Sequence, residues 1–95
     1  MIAPITRCKL KADSLEAATG MVEKSKPQIM ALAGMHGFVN AMKDDGSGYV
    51  ISMIESRALA EADAGAVSAI WKNFADLMES PPQADTFEAQ AHWTA

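Results

Sequence analysis

The spacing of hydrophobic and polar positions changes several times along the chain, and each change marks an element. From Ile2 to Lys11 the residues alternate, with Ile5, Arg7, Lys9 and Lys11 on one side and Thr6, Cys8 and Leu10 on the other, a period of two that predicts a strand. Pro4 has no backbone donor and belongs at the strand's start, so ladder pairing is expected from about Ile5. The period then lengthens. Leu15, Ala18, Val22, Ile29 and Leu32 recur at helical spacings behind Asp13 and Ser14, either of which can cap, with Glu16 adding a favourable charge in the first turn. Pro27 costs about 3 kcal/mol in an uninterrupted helix interior, which predicts a break near Ser25 and Lys26 and a second short segment opened by Pro27. Gly34 can supply the left-handed residue that ends the helix.

Gly37 to Lys43 and Tyr49 to Glu55 flank Asp44-Asp45-Gly46-Ser47-Gly48, which predicts a hairpin. Its second strand is apolar on both sides, Tyr49, Ile51 and Met53 against Val50 and Ile54, as expected of a strand lying between two layers. From Ser56 a second helix carries a broad apolar stripe, from Leu59 through Val67, Ile70, Trp71 and Phe74 to Met78. Ser80-Pro81-Pro82 stops it. Phe87 to Thr94 alternates again and predicts a fourth strand, with Ala89, Ala91 and Trp93 on one face and Glu88, Gln90 and His92 on the other.

The order βαββαβ predicts an α+β fold, a ferredoxin-like antiparallel sheet with two helices on one face, in a single domain over residues 1–95. The other sheet face is then an uncovered apolar surface, and the simplest cover is a second copy, sheet against sheet. Composition strengthens this. A chain of 95 residues, 49% hydrophobic and 21% charged, forms one small core. Its single cysteine, Cys8, allows no internal disulfide and reads as a packed thiol.

A net charge of −4 without a basic run argues against nucleic acid. No stretch has the length of a membrane span and no basic-then-apolar leader stands at the N-terminus, so a cytoplasmic protein is expected. Two histidines far apart in sequence, with no carboxylate placed on one helical face with either, predict no metal site, and no cofactor is expected.

A helix end running through Gly34-Met35-His36-Gly37-Phe38 into a strand, an acidic glycine-containing turn, and an apolar strand ending Glu55-Ser56 into a helix together resemble the antibiotic biosynthesis monooxygenase family of dimeric α+β barrels. The resemblance covers nearly the whole chain. It implies a homodimer whose two sheets close into a barrel, with a small-molecule cleft between sheet and helices. The activity it implies is cofactor-independent oxygenation of a small aromatic or quinone-type molecule. The fold also hosts isomerases, and a non-catalytic ligand-binding or stress-related dimer is the alternative. The family's tryptophan at the end of the third strand is replaced by Ile54. Positions that the haem-degrading branch fills with Asn, Trp and His hold Thr6, Asp63 and Asn73, which argues against haem degradation.

Within that frame His36, between Gly34 and Gly37, is the candidate general acid or base; the competing reading is a turn residue or a cap on the last helical carbonyls. Trp71 and Phe74 can form an aromatic wall for a planar ligand or simply pack the core. Trp93 beside Ala89 and Ala91 either borders a cavity or leaves room for a helix. His92, Asn73 and Arg7 are further polar candidates, each of which also reads as a surface residue.

Overall fold

A computed structural model describes all 95 residues. The elements are β1 (Ile2–Lys9), α1 (Leu15–Met30), β2 (Met35–Met42), β3 (Ser47–Ile54), α2 (Arg57–Ala62), α3 (Ala64–Lys72), a 3-10 turn at Ala75–Leu77, and β4 (Gln83–Glu88). The strands make one antiparallel sheet in the order β2-β3-β1-β4, with the helices on one face: the ferredoxin-like α+β arrangement. No helix is long and apolar enough to cross a membrane.

Strand parity sorts the sheet into two surfaces. Ile2, Thr6 and Cys8 of β1 and Val50, Ser52 and Ile54 of β3 face the helices. Ile5, Arg7, Tyr49, Ile51 and Met53 lie on the other side, together with Val39 of β2 and Phe87 of β4. That second surface has no cover: Val39 is 53% exposed, and Tyr49 and Phe87 are each 48% exposed. Against the helices, the packed core is a cluster at one end, made of Cys8, Leu10, Ala18, Phe74 and Met78. The total accessible surface is 6319 Å², against about 5,300 Å² expected of a folded monomer of this mass. The excess comes from the open sheet face, a hollow interior and the C-terminal tail.

Four sequence expectations shift. Pairing of β1 begins at Ile2, not Ile5. The β1–β4 ladder runs through Ala3 and Pro4, while the β1–β3 ladder skips those two and resumes at Ile5. Helix α1 runs unbroken past Pro27, which stands in its last turn, and neither Ser14 nor Asp13 makes a side-chain cap. Pro27 and Glu23 are both exposed, so water takes the carbonyl that the missing N–H leaves free. Beyond Met30 the chain turns through Gly34, at φ 74°, straight into β2 at Met35.

The second helix is divided at Asp63, although Ser56 caps its start by accepting from the Leu59 amide at 3.2 Å. The fourth strand is Gln83–Glu88, upstream of the alternating stretch. Its register sets Glu88 opposite Ile2, where β1 starts, so the ladder is exhausted there apart from the Ala89 amide donating to the Met1 carbonyl at 3.1 Å. Residues 89–95 therefore form no strand despite their alternation.

In the hairpin turn, Asp45 accepts from the Ser47 hydroxyl at 2.6 Å and the Ser47 amide at 2.9 Å. The hydroxyl first, then the amide, hold its carboxyl below the usual range.

The α1–β2 turn provides a stability test. A side chain at Gly34 would have to adopt the left-handed region and bring its Cβ within 2.8 Å of Leu59 Cδ1, whereas a Cβ at Gly20, inside α1, meets nothing. In urea denaturation Gly34→Ala is expected to lose about 1–3 kcal/mol and Gly20→Ala to gain about 0.5–1 kcal/mol. Equal effects of the two substitutions would contradict this account of the turn.

Candidate functional site

Between the sheet and the helices lies a cavity of about 720 Å³, a volume in the range of small-molecule sites. Its lining is mostly hydrophobic. The floor comes from helix-facing residues of all four strands, and the roof from α1 and α3, including Val22, Val67 and Ile70. Trp71 and Phe74 complete the wall, with ring centroids 6.0 Å apart and planes inclined by 60°. Phe74 is buried and Trp71 half-buried, so the pair presents a tilted aromatic surface to whatever occupies the space.

Each of three strands places one polar residue in the middle of its helix-facing row: Thr6 in β1, Asn40 in β2 and Ser52 in β3. The register brings them together, since Thr6 and Asn40 both pair with Val50 and Phe38 pairs with Ser52. None of the three side chains makes a hydrogen bond within the protein. Thr6 is buried, Ser52 half-buried and Asn40 exposed, so these polar groups of the floor stand free for water or a guest and take no part in the fold's own bonding. On the helical side, Asp63 also lines the cavity, and its Oδ2 is buried without a partner.

Arg57 and Glu61 of α2 add charge to the wall. The Arg57 guanidinium lies 3.8 Å from Glu88 in an exposed ion pair, an interaction worth less than about 1 kcal/mol. Cys8 is 7% exposed, and burial raises its thiol above the ordinary value of 9.0. It stays protonated near neutrality and is a poor nucleophile. No group of three or more His, Cys, Asp or Glu side chains converges anywhere in the molecule.

Of the residues singled out in the sequence, only Trp71 and Phe74 line this space. His36 is exposed on β2, as the extra residue of a bulge between Met35 and Gly37, and does not border the cavity. Asn73 is exposed just past the end of α3. His92 and Trp93 lie in the tail beyond β4, with Trp93 90% exposed, and Arg7 is on the open sheet face donating to Gln83 at 3.1 Å. Asn40 and Ser52 were missed by motif reasoning, and Thr6 and Asp63 entered it only as mismatches to the haem-degrading pattern. The signal that finds the strand residues is parity: each is the lone uncharged polar residue in an otherwise apolar helix-facing row.

No family profile and no curated protein matches the chain. Solved structures do. A Nitrosomonas europaea protein of unknown function superposes with a TM-score of 0.83 at 20% identity, over 99% of this chain and 93% of its own. Two proteins each named a putative antibiotic biosynthesis monooxygenase also match. The one from Nitrosomonas europaea has a TM-score of 0.80 at 17% identity, covering 94% of this chain and 89% of its own. The other, from Bordetella bronchiseptica, has a TM-score of 0.80 at 15% identity, covering 92% and 94%. At such identities the likeness is one of fold, and this chain has the α+β fold of antibiotic biosynthesis monooxygenase-like proteins.

The unused floor hydroxyl predicts a stability outcome. Thr6→Val removes a hydroxyl that serves no bond in the fold, so urea denaturation should find stability unchanged or raised by up to about 1 kcal/mol. A loss of about 1–3 kcal/mol would mean that the hydroxyl is structurally engaged.

Proposed function

We propose that this protein is a homodimeric, cofactor-independent monooxygenase-like enzyme that takes a small aromatic or quinone-type molecule into the cavity between sheet and helices. The observation that carries this reading is the replacement of a filled core by an apolar space of about 720 Å³ with an aromatic pair on its wall. A domain of this size can ill spare core contacts, so a hollow of this volume is costly unless something occupies it. Supporting it are the structural relatives named as monooxygenases.

The reaction class balances without an added reductant. A ring-activated methylene loses a proton, and the resulting carbanion passes electrons to dioxygen. One oxygen atom becomes the new carbonyl, and the other leaves as water with the two substrate hydrogens. The protein's share is to desolvate the substrate and orient it. A non-catalytic binding dimer would use the same space, and the largely apolar lining, 21 hydrophobic residues of 32, serves that role equally well. Oxygen uptake with a panel of hydroxylated polycyclic substrates that carry a ring-activated methylene separates the two. Consumption of one O₂ per carbonyl formed, above the uncatalysed rate, supports the enzyme; tight binding without uptake replaces it with the binding protein.

The dimer rests on the open sheet face, whose exposed Val39, Tyr49 and Phe87 surround the half-buried Ile51. An exposed apolar face of this kind on a small domain is what a second copy would cover. Sedimentation velocity is expected to give twice the 10.1 kDa chain mass. Ile51→Lys, which places a charge in mid-patch, should give monomers at the same concentration. A wild-type chain that stays monomeric at high concentration would refute the interface.

A further inference from the structure

The cavity is open on the β4 side. Ala84 and Thr86 of β4 line it and are exposed, as β4 is along its whole length. On the helical side Arg57, Glu61, Ala64 and Ser68, at spacings of three and four along α2 and α3, also line it and are exposed. Residues that border a cavity and meet solvent as well mark its opening. One polar side-chain contact joins the two lips, the exposed Arg57–Glu88 ion pair at 3.8 Å, and it stands at one end. Beyond it the lips carry small side chains, Ala64 and Ser68 on the helices and Ala84 and Thr86 on the strand, so the opening is a slot with room for a bulky group.

The C-terminal tail leaves from this same end. Glu88 finishes β4, the Ala89 amide donates to the Met1 carbonyl at 3.1 Å, and no backbone hydrogen bond holds the chain beyond it. Trp93 is 90% exposed, more than any other large hydrophobic residue of the molecule. Doubling back at Ala89 and Gln90, three extended residues carry Trp93 roughly 10 Å along the slot. Ala64 lies about 10 Å along the helices from Arg57, which brings the two level. An indole and a slot walled by alanine, serine and threonine are complementary in size, and Ala91, on the same face of an extended tail as Trp93, adds no bulk on the way. We infer that Trp93 is the missing wall of the site: the tail folds back over the opening, its indole fills the slot beside Ala64 and Ser68, and the ligand is enclosed in a cavity that Trp71 and Phe74 already line. His92, of opposite parity, stays in water. The arrangement described above is the open one, through which a ligand enters. This assignment rests on the reading of the cavity as a ligand site and adds the residue that retains the ligand there.

Two measurements on the full chain test it. The first is the escape rate, by stopped-flow dilution, of N-phenyl-1-naphthylamine, a neutral fluorophore that brightens in apolar surroundings. Trp93→Ala should speed escape roughly tenfold or more, the scale of one well-buried aromatic contact, and Trp93→Phe should restore most of the retention. Urea denaturation should find both variants as stable as the wild type, since the side chain is in water in the open form. The second measurement is disulfide trapping with Trp93 left in place. Thr94→Cys combined with Ser68→Cys should oxidise to a bridge within one chain, located by peptide mass mapping, whereas Thr94→Cys with Val39→Cys on the open sheet face should not. An escape rate unchanged by Trp93→Ala overturns the role of Trp93, and a 68–94 bridge that forms only between chains assigns the tail to the partner and overturns it equally. If the wild type does not bind the fluorophore, the reading of the cavity as a ligand site fails, while the bridge still decides whether the tail closes the slot.

Discussion

The constraint on which the rest of this structure depends is that the helical layer meets the sheet at its ends and stands off it in the middle. At one end Leu10 is held from two sides. Its amide donates to the Gly46 carbonyl, and the Lys11 amide donates to the Leu77 carbonyl, each at 2.8 Å. That pairing draws the segment after α3 against β1 and seats Phe74 and Met78 beside Cys8 and Ala18. At the other end Ile2, Ile54 and Ile29 are buried. Between these anchors the cavity stands where core side chains would otherwise pack. Hydrophobic burial is thus concentrated where it fixes the layers relative to each other, and the middle is free to receive a guest.

Much of this arrangement is legible in the residues. Helix α1, the hairpin and the start of the second helix follow from period and turn chemistry, because each buries one face and breaks at a recognisable residue. The fourth strand was displaced because Gln83 to Thr86 is exposed on both faces and carries no apolar alternation. Backbone pairing to β1 makes it a strand. Conversely, Phe87 to Thr94 alternates well, but past Glu88 no strand stands beside it to complete a ladder. The proline expectation in α1 overestimated a cost that falls when the residue sits in an exposed last turn.

The candidate site was harder to read, for a physical reason. The histidines and Trp93 attract notice by residue type, yet placement decides function, and these positions point away from the hollow or lie in the tail. The polar residues that face inward are serine, threonine and asparagine, chemically plain and frequent on any surface. Only their position in the middle of apolar rows distinguishes them. Asp63 depends on the interruption between α2 and α3, and a continuous apolar stripe from Leu59 to Met78 gives no hint of that interruption.

Every strand of this sheet serves two surfaces, so its register carries an unusual load. A slip of one residue in β3 would send Ser52 and Val50 to the open face and Ile51 and Met53 into the cavity. Two devices oppose such a slip. At Gly48 a Cβ would collide with the Ala41 carbonyl and the Met42 sulfur, so the β2–β3 pairing closes only with glycine there. At the other end of the same pair, His36 is the inserted residue. Phe38, Asn40 and Met42 share the helix-facing parity, by which Met35 would face the open side; the bulge reverses it and returns Met35 to the cavity lining opposite Ile54. A position that residue type marks as an acid or base thus acts on the site through the backbone. Its imidazole stays in solvent while the extra residue turns its neighbour inward.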